Sequence, residues 1–371
     1  MITELEIQNY KCFDHLRLDF GKLTLLTGFN GAGKSTSTQP LFLLSQAFEN
    51  NPSPTSLTLN GSHVDLGTVG DVLPAQSQTS EMMFRVKGVL EQATFHLKGK
   101  ASERRLLVTK LELLNIGKIN PVVETLGMTL DESLSTINYL SAIREGTPDN
   151  YPIPTIERDL WASVGKNGCY APYWHEKLAD TEITANRCHP SETSNILRRQ
   201  FNAWLGTLFP GAEANVQLFP QLSLLNLQFR LSDISDWRRP ANLGYGFSYA
   251  FPILIALLIA KPGQVLIIDS PESHLHPYAQ SQMGKILATF ANSGVQIIVE
   301  THSDHLLNGI RVAVKDSIMK HEDLKIYFFQ GVTTESHGVH SLAVDKEGRI
   351  SDWPGGFFDQ SEADLAHLAG W

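Results

Sequence analysis

The run Gly28-Phe29-Asn30-Gly31-Ala32-Gly33-Lys34-Ser35 constrains this chain more than any other stretch, because it fits G-x-x-x-x-G-K-[ST]. Its setting is the one that the motif needs. The apolar Leu23-Thr24-Leu25-Leu26 reads as a buried strand leading into Gly28, and Ser35 to Phe48 reads as a helix. Pro40 falls within the first turns of that helix, where a missing N–H costs little. Glycines let backbone N–H groups wrap phosphates at a helix N-terminus, where the helix dipole favours negative charge. Lys34 supplies a point charge to the outer phosphates, and the Ser35 hydroxyl can ligate Mg²⁺. The nucleotide contacts predicted here are Asn30, Gly31, Ala32, Gly33, Lys34, Ser35 and Thr36, with ATP and Mg²⁺ as the ligands.

Such a loop needs an acidic residue at the end of another buried strand to hold the metal, directly or through water. Val265-Leu266-Ile267-Ile268-Asp269 provides one, so Ser35 and Asp269 are the predicted metal ligands. The rest of the pattern agrees with an α/β class. Residues Thr3 to Ile7 and Leu16 to Phe20 read as strands, and residues 55–115 alternate weakly as further strands with turns at Asn60-Gly61 and Lys87-Gly88. Residues 116–215 lose this pattern and become rich in Pro, Gly, Trp and His, which predicts an inserted mixed or helical region. The α/β pattern returns from Leu222, with a helix from about Tyr245, a helix from Pro277 and a buried strand at Val295 to Val299. The expected organisation is therefore 1–115 and 216–371 as two parts of one ATPase domain, with 116–215 inserted between them.

After Asp269 comes Ser270-Pro271-Glu272-Ser273-His274-Leu275-His276-Pro277, and this segment resembles the acidic-acidic-Pro-Glu-x-His-Leu-His-Pro run of OLD-like and RecF-like ABC ATPases. Asn9-Tyr10-Lys11-Cys12-Phe13 is similar to the start of that family. Asn242-Leu243-Gly244-Tyr245-Gly246-Phe247-Ser248 resembles its signature, and Glu300-Thr301-His302-Ser303 resembles its switch-histidine segment. Tyr139-Leu140-Ser141-Ala142-Ile143-Arg144, Val164-Gly165-Lys166-Asn167-Gly168 and the tail Asp352-Trp353-Pro354-Gly355-Gly356-Phe357-Phe358-Asp359-Gln360 resemble a bacterial subgroup of OLD-like ATPases, some members of which occur in anti-phage defence.

The resemblance implies an ABC ATPase head: a P-loop core of mainly parallel strands with a mixed N-terminal sheet. It further implies a homodimer, or a higher oligomer, formed head to tail on Mg–ATP. In that pairing Lys34 and Ser35 of one copy face Gly246 and Ser248 of the other, and His302 senses the γ-phosphate. The family often carries a catalytic Glu just after the metal-binding acid, where this chain has Ser270. A serine is no carboxylate base at neutral pH. Glu272 is the nearest substitute, so Glu272 and His302 are the catalytic candidates and slow ATP hydrolysis is expected.

Overall charge bears on the partners. A net charge of −9 argues against coating nucleic acid through bulk electrostatics, which needs a dense basic face. The leading expectation is regulation of a separate nuclease or toxin effector in anti-phage defence, because the chain ends without the acidic nuclease module that fused OLD nucleases append. The alternative is a RecF-like, ATP-dependent clamp on DNA. His274 and His276 lie two apart, but no further ligand with zinc-site spacing accompanies them. The apolar run Ala250 to Ala260 is interrupted by Pro252 and falls short of the roughly 20 residues that cross a bilayer, so no membrane span is expected. Cys12, Cys169 and Cys188 fit no disulfide framework, which points to a reducing cytoplasm.

Overall fold

The computed structural model of the 371-residue chain describes residues 1–49, 51–116, 128–154, 162–332 and 337–369. Residues 117–127 and 155–161 of the expected insertion lie outside the described residues.

The chain opens with β1 (Ile2–Tyr10), β2 (Phe13–Asp19) and β3 (Leu23–Gly28), followed by α1 (Lys34–Phe48), β4 (Ser56–Thr58) and the single turn α2 (Val69–Val72). Pro40 lies within the first two turns of α1 as expected, but past the first, so it does remove an intrahelical hydrogen bond. Next come β5 (Glu81–Gly88), β6 (Glu91–Lys98) and β7 (Arg105–Asn115). These strands build a six-stranded sheet of order β2-β1-β5-β6-β7-β4. Its neighbours all pair antiparallel, as hairpin-connected strands do.

Then follow α3 (Leu130–Ser135), β8 (Asn138–Leu140), β9 (Tyr151–Pro152), α4 (Ala171–Lys177), α5 (Leu197–Leu208), β10 (Glu213–Phe219) and β11 (Leu224–Arg230). Strands β10, β11 and β9 form a small antiparallel sheet. The last part holds α6 (Tyr245–Ile259), β12 (Val265–Asp269), α7 (Pro277–Asn292), β13 (Gln296–Glu300), α8 (Asp304–Lys315), β14 (Leu324–Val332), β15 (His337–Leu342) and α9 (Gln360–Leu368).

The central sheet runs β15-β14-β3-β13-β12-β8. Every pair is parallel except β14 with β15, so the mixing of strand directions belongs here. Strands buried on both faces read as continuous apolar runs, and β3, β12 and β13 do. Because β3 sits between β14 and β13, its C-terminal end delivers the phosphate loop beside the ends of β13 and β12. The expected α/β class and the mainly parallel core are borne out.

Helix α6 is largely apolar and buried from Phe247 to Leu258 except at the half-buried Tyr249, the pattern of a helix inside a core rather than on it. Tyr151, Trp174, Phe201 and Trp204, all from the 116–215 span, share one hydrophobic cluster with α6 and the β12–β13 layer. From the same span, β8 pairs with β12 as the edge of the central sheet. A second cluster joins the N-terminal sheet to α1.

Candidate active site

The phosphate loop begins where β3 stops. Gly28 has φ +134°, and a Cβ there would lie 2.1 Å from the Phe329 carbonyl oxygen of β14, so only glycine lets the two backbones approach. Gly31, also at positive φ, would meet nothing within 4 Å: its backbone faces open space at the mouth of the loop. Asn30, Gly31 and Ser35 are exposed, Gly33 and Thr36 half-buried, and Ala32 buried.

Lys34 is 4% exposed, and its Nζ donates to the carbonyl oxygens of Gly28 (3.0 Å) and Phe29 (2.9 Å). Burial lowers its pKa, against the pull of Glu300 and Asp269. The loop thus curls around its own lysine.

Asp269 ends β12 and Glu300 ends β13, paired in register. The Glu300 Oε1 accepts a hydrogen bond from the Ser35 hydroxyl at 3.0 Å and lies 4.0 Å from Lys34 Nζ. Burial, and then repulsion from Asp269, raise Glu300 to about 7. The Ser270 hydroxyl donates to Asp269 Oδ1 at 2.8 Å, while Ser270 itself adopts φ +49°, a left-handed conformation unusual for serine.

Glu272 is held by one oxygen. Its Oε1 accepts the His302 backbone N–H at 2.8 Å, while Oε2 is buried without a hydrogen-bond partner among the described residues. Burial raises its pKa, partly offset by that N–H bond. The imidazole of His302 is exposed on the loop after β13, and burial and then Lys34 lower its pKa. Ser35, Asp269, Glu272, Glu300 and His302 therefore belong to one constellation around Lys34.

Gly246 and Ser248 stand elsewhere, in the first turn of α6. Gly246 is half-buried: a Cβ there would lie 2.9 Å from the His274 carbonyl oxygen. Ser248 is 6% exposed, and its Oγ is buried without a hydrogen-bond partner among the described residues. In the single copy the Ser248 side chain lies on the buried side of α6 rather than at the surface. The exposed residues of the segment are Asn242, Gly244 and Tyr245. His274 and His276 have local partners: His276 Nδ1 caps α7 by accepting Tyr278 N–H, and the His274 ring packs 4.6 Å from that of Tyr249.

Two residues of this site were not singled out by sequence reading. Glu300 carried a signal, an acid ending a buried strand beside the phosphate-loop strand. Arg144 carried none beyond its place in a resembling segment. Its guanidinium donates to the carbonyl oxygens of Asp269 (2.6 Å) and Ser270 (3.2 Å).

An oxygen-rich set of Ser35, Asp269 and Glu300 beside an open glycine loop suits a hard cation held jointly with phosphates; Mg²⁺ takes one or two carboxylates and leaves the rest to water and phosphate. Among the described residues no group of three or more His, Cys, Asp and Glu side chains is arranged to hold a metal by itself. No helix among them is long and apolar enough to cross a membrane.

Comparison with known proteins agrees with this geometry. Residues 1–105 match the family described as "AAA ATPase domain", and residues 175–308 match "AAA domain, putative AbiEii toxin, Type IV TA system". Residues 319–368 match a family described as a protein of unknown function. The chain is 24% identical over 326 residues to the OLD nuclease of Thermus scotoductus, an alignment that covers 82% of this chain and 59% of that one. A stretch of 63 residues is 40% identical to the Old nuclease of Escherichia phage P2, covering 15% and 11%. The chain thus spans less than two thirds of the length of these relatives. Among solved structures, an Smc head bound to the C-winged helix domain of ScpA superposes with a TM-score of 0.53 at 15% identity, covering 93% of this chain and 98% of that one. The Smc head of Pyrococcus furiosus, bound to the C-terminal domain of ScpA, gives 0.52 at 14% identity, covering 99% of each. The likeness to Smc heads is one of fold.

Proposed function

We propose, from the premise that this chain is an OLD-like ATPase of the ABC type with a P-loop, that it is a switch: two copies close head to tail on Mg–ATP and reopen after hydrolysis. Closure is what a partner effector reads. The observation that carries this reading is the division of the site. Lys34, Glu272, Glu300 and His302 gather at the strand ends, while the signature segment presents Tyr245, 51% exposed, against Gly146 of the loop that also carries Ile143, 81% exposed. An exposed aromatic and an exposed aliphatic next to a signature turn suit burial against a second copy's nucleotide face.

In this reading Asn30, Gly31, Ala32, Gly33, Lys34 and Thr36 hold the phosphates, and Ser35 and Asp269 hold Mg²⁺, which would neutralise charge on the outer phosphates. Glu272 accepts the proton of the attacking water on its free Oε2, with its other oxygen fixed by His302 N–H. His302 senses the γ-phosphate. Slow turnover suits a switch, because a ligand shifts a two-state equilibrium only through its differential affinity for the two states.

The effector we propose is a nuclease or toxin in bacterial defence, in keeping with relatives named as nucleases and a family description that names a toxin. The chain retained on a tag in Mg–ATP and in Mg–ADP provides the test. A nuclease or toxin held in the ATP state and released in the ADP state is the expected result. Retention of duplex DNA instead, with an affinity that falls steeply with salt, would replace the effector reading by a DNA clamp.

A further inference from the structure

Arg144 is 4% exposed, and it lies on the loop after β8. One guanidinium nitrogen donates to two successive carbonyl oxygens, those of Asp269 and Ser270, where β12 turns into the Glu272 loop. The planar group also lies over the Tyr249 ring of α6, 5.3 Å from its centroid. Its Nε and Nη1 are buried without hydrogen-bond partners among the described residues, as is Glu272 Oε2. Asp269 and Glu272 are the largest attractions on its charge, opposing a burial that lowers it to about 10. A buried cation with spare donors is expensive unless its field is used. Tyr249 in turn packs against the His274 ring, and Tyr245 packs 5.3 Å from the same ring, so the exposed start of α6 reaches Arg144 through two aromatic contacts.

We infer that Arg144 is a positioning residue of the ATPase site, the clasp that ties the signature helix α6 to the turn bearing Asp269 and Glu272. It touches no nucleotide. Glu272 is, after Asp269, the carboxylate that acts most strongly on its charge, so seating of the signature turn is felt at the catalytic loop through the guanidinium. One observation favours an arginine there: a flat cation that stacks on the Tyr249 ring while one of its nitrogens bridges both carbonyls. The inference rests on the ATPase reading, and its part concerning Glu272 rests on Glu272 acting as the base.

The test compares Arg144→Met, Arg144→Lys, Tyr249→Leu and Glu272→Gln in the full chain, with ATP affinity measured by titration and hydrolysis by single turnover in saturating Mg²⁺. A positioning role predicts ATP affinity within about threefold of the parent for Arg144→Met, with a single-turnover rate lower by about 10-fold or more, because small displacements of catalytic groups are amplified in rate. Arg144→Lys should recover part of that rate. An unchanged rate in Arg144→Met, or loss of affinity by the same factor as rate, overturns the inference. Should Arg144→Met fail to fold, Tyr249→Leu decides in the same way, since it removes the ring and leaves the carbonyl bonds: a several-fold slower rate at parental affinity is expected, and a parental rate overturns the clasp. Glu272→Gln separates the two ideas. A slow Arg144→Met beside a normal Glu272→Gln removes Glu272 as base and keeps the clasp, and the opposite pair removes the clasp alone.

Discussion

Asp269 and Glu300 stand opposite each other at the ends of two adjacent parallel strands, and Glu300 reaches on to accept the Ser35 hydroxyl at 3.0 Å. The register of β12 against β13 therefore sets two carboxylates beside the phosphate loop, with Lys34 4.0 Å from one of them.

Burial of Glu300, and then repulsion from Asp269, make the nucleotide-free protein sensitive to pH. A carboxyl whose folded pKa is raised, here to about 7 from the ordinary 4.5, binds its proton more tightly in the folded chain. Folding is then most favoured at low pH, and stability is lost as pH rises from about 4.5 to about 7. Glu300→Gln should remove a penalty on the order of 2 kcal/mol above that window, after allowance for water that still reaches the group. Thermal unfolding without Mg²⁺ should show the variant more stable than the parent at pH 8 and similar at pH 5. An equal gain at both values would mean that the Glu300 charge is not the cause.

Lys34→Ala should leave the fold intact and weaken ATP binding by about 100-fold or more, since it deletes a charge that makes two hydrogen bonds in the loop and would make comparable ones to phosphate. Titration with ATP beside a thermal melt separates the two effects. Near-parental affinity would remove the phosphate-loop assignment.

The signature turn should show two kinds of failure. Tyr245→Arg changes a half-exposed surface and should block ATP-dependent pairing while the chain still binds ATP. Ser248→Arg forces a charge into a buried helix face and should destabilise the fold by about 3 kcal/mol or more. Unfolding curves and sedimentation of both variants check this. A stable Ser248→Arg chain would contradict the packing of α6.

Glu272→Gln should slow single-turnover hydrolysis by about 100-fold or more, because it loses the base while keeping the bond from His302 N–H. An unaffected rate would leave the site without a dedicated base, and Ser270→Glu would then be expected to raise the rate. That substitution starts at a disadvantage, since Ser270 occupies φ +49° and bonds to Asp269.

Local motifs made half of this site readable. The loop from Gly28 to Ser35 and the acid after Val265–Ile268 are contiguous signals, and each fell where its strand predicted. Glu300 was harder, because its role comes from strand order and register rather than from its neighbours in sequence. Arg144 acts on carbonyls 125 and 126 positions away, which no periodicity reports. The burial of Ser248 was hidden because a largely apolar helix has no face that can be called outward from its pattern. In residues 116–215, broken patterning concealed β8, whose place at the edge of the central sheet is fixed by tertiary pairing with β12.

The claim that ATP closes two copies head to tail is tested most directly by sedimentation velocity of the Glu272→Gln chain, where bound ATP should persist. The account predicts a single-copy boundary without nucleotide, a two-copy boundary with Mg–ATP, and return to one copy when Lys34→Ala is added. A boundary that Mg–ATP leaves unchanged, whether of one copy or of two, would contradict it.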